Sequence, residues 1–288
     1  MKTEICNVCF RHCRIEEGAA GFCGVRKNIG GKICYAYYGH ITSLALDPIE
    51  KKPLRRFHPG SRILSVGGCG CNLRCPFCQN HEISVPDGNK QFHIPMETVS
   101  PEELVSLAMR CKAEGNIGIA FTYNEPLTGY EFVRDTARLA HEMGMLTVLV
   151  SNGTADLSIL QEIIPYIDAM NIDLKGFTDD YYARVLHGNR AMVMEFIKEA
   201  VKHCHVELTT LIVPGENDSR EEILDLSSWT AALSDVWEGR SGTEIPLHIS
   251  RFFPRYHMKD RQPTSVRTIY SLAEAARQNL KYVYTGNC

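Results

Sequence analysis

From residue 60 onward the chain alternates, six times over, between short apolar runs and longer stretches whose apolar residues recur every three or four positions. The short runs cover 63–66, 117–123, 146–150, 169–174, 206–213 and 247–252, and they are nearly continuous in Ile, Val, Leu and Ala. That suits strands buried on both faces of a parallel sheet; a strand with one face in water would alternate. The intervening stretches 101–113, 129–143, 157–166, 192–203 and 220–233 predict helices, and a last helix at 266–279 leads to a β-prone end at 282–284. Ser100, Pro101 and Glu102-Glu103 provide an N-cap, a proline at the first helical position and acids in the first turn. Six β-α units in series predict an α/β fold with right-handed crossovers, either curled into a partial barrel or opened into a doubly wound sheet. Periodicity does not choose between the two.

Residues 1–60 break the pattern. They hold five cysteines, many glycines and no long helical period, which predicts a small metal-stapled module and a linker, joined through Asp47-Pro48-Ile49-Glu50-Lys51-Lys52-Pro53-Leu54 to a core domain over 61–288. A net charge of -3 offers no electrostatic case for nucleic acid or a membrane surface, and no apolar run is long enough to span a bilayer. The start, Met1-Lys2-Thr3-Glu4-Ile5-Cys6, meets cysteine before an apolar leader could form, so the expected location is cytoplasmic. There thiols stay reduced, and grouped cysteines point to metal rather than to disulfides.

Two groups stand out. In Cys71-Asn72-Leu73-Arg74-Cys75-Pro76-Phe77-Cys78-Gln79-Asn80, three thiols follow the first apolar run on one short loop. Three thiolates can hold three irons of a cubane cluster, and no fourth follows nearby, so one iron is left open to bind a small molecule; electron-carrying clusters take four. Structural zinc is the competing reading, although it usually takes two pairs of ligands rather than a triplet. The spacing, with the aromatic Phe77 before the last cysteine, resembles the signature of radical S-adenosylmethionine (SAM) enzymes. That resemblance implies a [4Fe–4S] cluster whose open iron is chelated by SAM, and a 5′-deoxyadenosyl radical as the product of reductive cleavage. The second group, Cys6, Cys9, Cys13 and Cys23, supplies four thiols, enough to close a tetrahedral zinc site or a complete second Fe–S cluster. A closed site of this kind is structural or relays electrons.

Ligands of parallel α/β folds gather beyond the carboxyl ends of the strands, so the residues found there test the cofactor reading. The second strand ends in Tyr123-Asn124-Glu125-Pro126, where radical SAM enzymes carry a Gly-Gly-Glu-Pro-like run that binds the amino end of SAM; Glu125 and Pro126 match, Tyr123 and Asn124 do not. The third ends in Ser151-Asn152-Gly153, similar to the Thr-Asn-Gly of glycyl-radical-enzyme activases, with Asn152 either a cofactor contact or a turn residue. The fourth ends in Asp173-Leu174-Lys175, resembling the Asp-Leu-Lys of pyruvate formate-lyase activating enzymes, which implies that Asp173 and Lys175 meet the polar ends of SAM. Alternation alone puts Asp173 and Lys175 on one face, where burial demands that they pair or bind a polar ligand. The sixth is followed by Arg251-Phe252-Phe253-Pro254-Arg255-Tyr256-His257, a cationic and aromatic run suited to a substrate or protein partner.

Taken with Cys6-Asn7-Val8-Cys9, Gly21-Phe22-Cys23-Gly24-Val25-Arg26 and the terminal 282–287, these motifs resemble, over nearly the full length, the AmmeMemoRadiSam-system radical SAM proteins, relatives of the pyruvate formate-lyase activating enzymes. The resemblance implies a partial (β/α)6 TIM-like barrel with a small N-terminal Cys-rich module. It also implies an anaerobic oxidoreductase using SAM, a [4Fe–4S] cluster and a reductant such as flavodoxin or ferredoxin, with AMMECR1-like and Memo-like companions. The expected activity is hydrogen abstraction, with activation of a glycyl radical enzyme as the preferred form and modification of another protein or a small molecule as the alternative. A non-catalytic Fe–S or zinc metalloprotein is the rival of a different class.

Overall fold

The computed structural model describes residues 2–288. Its centre is a single eight-stranded sheet. Strand β1 (Ser43–Pro48) runs antiparallel to β2 (Arg62–Gly67), and β2 is followed in parallel by β3 (Asn116–Phe121), β4 (Leu146–Ser151), β5 (Ala169–Asp173), β6 (His205–Ile212), β7 (Leu247–Arg251) and β8 (Val283–Gly286). The crossovers carry helices α1 (Pro101–Arg110), α2 (Tyr130–Glu142), α3 (Leu157–Ile163), α4 (Arg190–Ala200), α5 (Arg220–Ala231) and α6 (Val266–Ala276). The two edge strands, β1 and β8, do not pair with each other, so the sheet stays open. This is the expected α/β architecture, with the β-prone end joining the six predicted strands as a seventh parallel strand and an antiparallel strand ahead of them. Among the described residues no helix is long and apolar enough to cross a membrane.

The helix starts follow the local chemistry of the sequence. Ser100 accepts from the Glu103 amide while the Glu103 carboxylate accepts from the Ser100 amide, closing a reciprocal cap on α1. Asn189 and Ser219 cap α4 and α5 from one side only, each accepting from the amide three residues on.

Before β1 the chain builds two small antiparallel pairs, Thr3–Ile5 with Arg14–Glu16 and Arg26–Ile29 with Lys32–Tyr35. The run at 47–54, read from sequence as a join, is built into the barrel. Ile49 and Leu54 are fully buried among Ile63, Ala120, Val148 and Ala169 of β2 to β5. This segment plugs the base, and its polar backbone finds partners inside. The amides of Arg55 and Arg56 donate to the Glu207 carboxylate at 3.0 and 2.7 Å, and Asn171 Nδ2 donates to the Pro53 carbonyl at 2.8 Å. His205 and His248 complete the shell of Glu207 at 3.0 and 2.6 Å. With the base closed, the loops at the carboxyl ends are left as the mouth.

Burial would raise the Glu207 carboxyl, but the two histidines and the Arg55 amide outweigh it and lower the pKa to about 2. A carboxyl depressed from about 4.3 in the unfolded chain stabilises the fold above that pH and loses its contribution as pH falls toward 2. Glu207→Gln is therefore expected to destabilise the fold by about 1–3 kcal/mol at neutral pH, because the donors around it lose their acceptor. It is also expected to flatten the acid limb of the stability profile below pH ~5. Thermal melts across that range check both.

Candidate functional site

Strand β2 runs straight into the loop bearing Cys71, Cys75 and Cys78, so the three thiols sit at the mouth. What holds this loop is mostly amide chemistry. Asn124, where a glycine was expected, accepts from the Gly68 amide at 3.1 Å and donates Nδ2 to the carbonyls of Cys69 and Gly70 at 3.0 and 3.1 Å. Asn80, just past the last cysteine, donates to the Tyr123 carbonyl at 2.7 Å. Tyr123 occupies the other glycine-like position, with φ 73, the left-handed region where glycine is at ease. Its hydroxyl donates to Asp47 at 2.8 Å, and the buried Lys52 meets the same carboxylate at 2.9 Å. The ring leaves no room opposite: a Cβ on Gly67 would stand 2.8 Å from it. Gly70, φ 88, is constrained similarly, since a Cβ there would lie 2.7 Å from Val25.

The ends of β3, β4 and β5 converge on the thiols. Glu125, 3% exposed, accepts from the Leu127 amide at 3.0 Å, the Ser151 hydroxyl at 2.9 Å and the Asn152 amide at 2.7 Å. Burial raises its pKa to about 7 against the pull of those donors, with Asp173 adding to the rise. Asn152 takes the turn role and also reaches the cysteine loop. Its Oδ1 accepts from the Thr154 amide at 3.0 Å and closes a turn, while Nδ2 donates to Asn72 Oδ1 at 2.9 Å and faces Cys71 Sγ at 3.7 Å. Lys175 Nζ meets Asp173 Oδ2 at 2.7 Å, with side chains 17% and 31% exposed, so the same-face pairing expected from alternation is present. Burial alone would lower the Lys175 ammonium; Asp173 and the Cys75 sulfur reverse that and hold it well above its ordinary value. Phe77 is buried and packs edge-on against Phe252.

Several residues that position this site were missed by sequence reasoning. Asn217 donates to the Lys175 carbonyl at 2.7 Å, and the Tyr182 hydroxyl accepts from the Lys175 amide at 3.0 Å. Tyr182 belongs to a π-helical turn, Tyr181–Leu186, that apolar spacing does not announce. Asn72 and Arg74 lie inside the cysteine motif itself, and amide and guanidinium side chains between would-be ligands were the available signal. A cavity of about 800 Å³ opens at the opposite end of the sheet, lined by His141, Asp168, His205 and Arg240 among others. His141 and Asp168 there are paired with each other at 2.9 Å.

A [4Fe–4S] cluster fits the residues at the mouth. All three cysteines are free thiols. Cys71 Sγ receives the Leu73 amide at 3.4 Å besides the Asn152 amide, and N–H donors to sulfur are one of the means by which proteins tune such clusters. Burial raises the thiols of Cys71 and Cys75, Cys75 to about 11, so as bare thiols they stay neutral and a bound metal would draw off their protons. Among the described residues no three His, Cys, Asp or Glu side chains converge on one ion. In a cubane each of the three thiolates would sit on a separate iron.

The radical SAM superfamily model matches residues 65–227, the segment from β2 through α5 that builds this mouth. The chain belongs to the radical SAM superfamily. Along 98% of its length it is 41% identical to an uncharacterized protein of Methanocaldococcus jannaschii, covering 80% of that protein. It is 29% identical to the pyruvate formate-lyase-activating enzyme of Clostridium pasteurianum over 55% of this chain, spanning 65% of that enzyme's length. Its fold is similar to a domain of pyruvate-formate lyase-activating enzyme from Bacteroides vulgatus, at TM-score 0.50 and 15% identity over 59% of this chain and 99% of that domain. Membership implies an enzyme that uses SAM and a [4Fe–4S] cluster. Within this radical SAM chain, Asn124→Ala is expected to cost about 1–3 kcal/mol by orphaning the loop's backbone groups. A lowered melting temperature together with faster loss of iron after anaerobic reconstitution is the expected pair of readings.

Proposed function

We propose that the cluster of this radical SAM enzyme is held by Cys71, Cys75 and Cys78, and that SAM binds between it and Phe77, Glu125, Asn152, Asp173 and Lys175. The observation that carries this reading is the mostly buried Asp173–Lys175 pair beside Cys75. An amino-acid head group brings one cation and one anion, and a paired carboxylate and ammonium next to an open iron can recognise both without leaving a charge unmatched. Glu125, pushed up by burial, gains most from a cationic neighbour, which suits the amino group of SAM. Once bound, cluster and cofactor supply reductive cleavage of a carbon–sulfur bond and a 5′-deoxyadenosyl radical that takes hydrogen from the substrate. The residues around them orient the cofactor and exclude water: Phe77 and Phe252 form an apolar wall, and the plugged base closes the far end.

For the substrate, our reading is a glycyl radical enzyme that this chain activates, in the context of an AmmeMemoRadiSam system with AMMECR1-like and Memo-like companions and a flavodoxin or ferredoxin as reductant. The likeness to an activating enzyme supports it, and so does the mouth, where Phe253 is exposed beside Arg255 and His257. The alternative is radical modification of another protein or of a small molecule. Cys6, Cys9, Cys13 and Cys23 are proposed as a second, closed metal site, holding zinc or an Fe–S cluster.

Anaerobically reconstituted protein with dithionite and SAM is expected to release 5′-deoxyadenosine and methionine. Cys75→Ala should abolish release by more than a hundredfold while leaving the melting temperature within a few degrees. A wild-type protein that neither binds nor cleaves SAM would instead favour a non-catalytic metalloprotein. Incubation with candidate partner proteins should then produce a glycyl-radical doublet in electron paramagnetic resonance; cleavage without any such signal points to the alternative substrates.

A further inference from the structure

The connection after β7 is a compact loop closed at its root. The Thr264 amide donates to the Phe252 carbonyl at 3.2 Å, Arg251 Nε donates to the Thr264 carbonyl at 2.6 Å, and the Thr264 hydroxyl donates to the Ile212 carbonyl at 2.6 Å. Surface loops whose ends meet in this way are frequently functional. Along one side it is pinned to the cysteine loop. The His257 amide donates to the Pro76 carbonyl at 2.8 Å, the Tyr256 ring stacks on His81 with centroids 4.3 Å apart, and Phe252 meets Phe77 edge-on. On another side Arg261 donates to Glu216 at 2.8 Å and to the Pro214 carbonyl at 3.1 Å, and Glu216 also accepts from Arg184 of the π-helical turn at 3.0 Å. The loop is thus a fixed part of the rim of the mouth. Tyr256 holds φ 51, a left-handed backbone that a bulky residue adopts only where its surroundings impose it.

What the loop turns outward is cationic and apolar. From Arg251 to Arg267 the chain carries Arg251, Arg255, Lys259, Arg261 and Arg267 against a single carboxylate, Asp260, in a protein whose net charge is -3. Arg261 is paired with Glu216; among the described residues the other four have no carboxylate within ion-pairing distance. The cations of α2 and α4, by contrast, are matched: Arg134 by Glu162, Arg138 by Glu142, Lys198 by Glu195. Phe253 is 43% exposed, with the Arg251 guanidinium 4.7 Å from its ring centroid. A merely solvated charged face does not need an exposed aromatic ring, whereas protein interfaces are enriched in aromatic residues and arginine. A loop already fixed in place also loses little freedom on docking, which lowers the cost of association.

We propose that the loop 252–264 is the docking surface for the protein substrate, and that the partner presents an acidic segment carrying an apolar residue. Its carboxylates meet Arg255 and Lys259, and its apolar side chain meets Phe253. The proposal deepens the glycyl radical enzyme reading and rests on it. Position decides for the substrate over an electron donor: the atom that loses hydrogen has to enter the mouth, so the surface around that atom meets the rim. Arg255, Lys259 and Phe253 set affinity and orientation and touch no reacting atom.

The probe is a fluorescently labelled synthetic peptide with a central glycine flanked by phenylalanine and glutamate residues, compared with the same peptide bearing lysine for glutamate. Binding to the full chain, reconstituted anaerobically with SAM present, is read by fluorescence anisotropy. The acidic peptide should bind about tenfold more tightly than the basic one and lose affinity as salt is raised. Arg255→Gln/Lys259→Gln and, separately, Phe253→Ser should each weaken it by about tenfold, with the melting temperature within a few degrees of the wild type. Arg110→Gln/Lys112→Gln, which removes exposed cations at and just past the end of α1, should leave it unchanged. Acidic and basic peptides bound alike, an affinity indifferent to the loop variants, or an equal loss in Arg110→Gln/Lys112→Gln overturns the proposal. Loop variants that keep peptide affinity and dithionite-driven SAM cleavage but slow flavodoxin-driven cleavage overturn it too, since the loop would then receive the electron donor. If a loop variant fails to fold, Arg255→Gln alone and the comparison of the two peptides decide. Binding is read without turnover, so a wild type that cleaves no SAM with dithionite strikes the radical SAM reading and leaves the docking surface to be judged by the peptides.

Discussion

A loop that carries three thiols at the mouth cannot be held by its own secondary structure, and in this protein the work falls to asparagine amides. Asn124 takes up one amide and two carbonyls of the loop from the end of β3. Asn152 reaches it from the end of β4 through Asn72 and Cys71. Each amide side chain offers both donor and acceptor, so a single residue can satisfy groups of opposite sense on an irregular backbone. The thiols are consequently placed by the sheet rather than by each other, which is what a centre with one open position requires.

The same logic divides the two ends of the barrel. At the base, Glu207 is matched by two amides and two imidazoles, and the plug from Ile49 to Leu54 fills the interior. At the mouth, charges are only partly matched. Asp173 and Lys175 pair with side chains partly exposed, Glu125 is raised to about 7, and Arg74 has carbonyls as its hydrogen-bond partners. The polar groups at the base are satisfied by one another, and several unsettled charges gather at the mouth, where a ligand would settle them.

Much of this was legible in the chain. β2 to β7 are largely buried and so read as nearly continuous apolar runs, and their ends located Cys71, Glu125, Asn152 and Asp173 from the sequence. β1 was missed because Ser43–Pro48 has one covered edge, mixed burial and a proline, and so carries no period. The plug was missed because its burial comes from folding back across the base, a long-range event that a polar, lysine-rich local sequence hides. Asn124 read as a departure from a glycine pattern; that its amide staples the cluster loop depends on where Gly68 and Gly70 fall in space. The Asp173–Lys175 pairing was foreseeable from two-residue spacing, whereas the Asn217–Lys175 bond joins residues too far apart in sequence for any window to see.

The central claim is an iron–sulfur centre with one position open to SAM at Cys71, Cys75 and Cys78. The most direct test is the electron paramagnetic resonance spectrum of the reduced, anaerobically reconstituted protein before and after addition of SAM. A cluster signal that changes shape with SAM, and that disappears in Cys75→Ala, is the predicted result. A signal indifferent to SAM, or one that survives Cys75→Ala unchanged, would contradict the account.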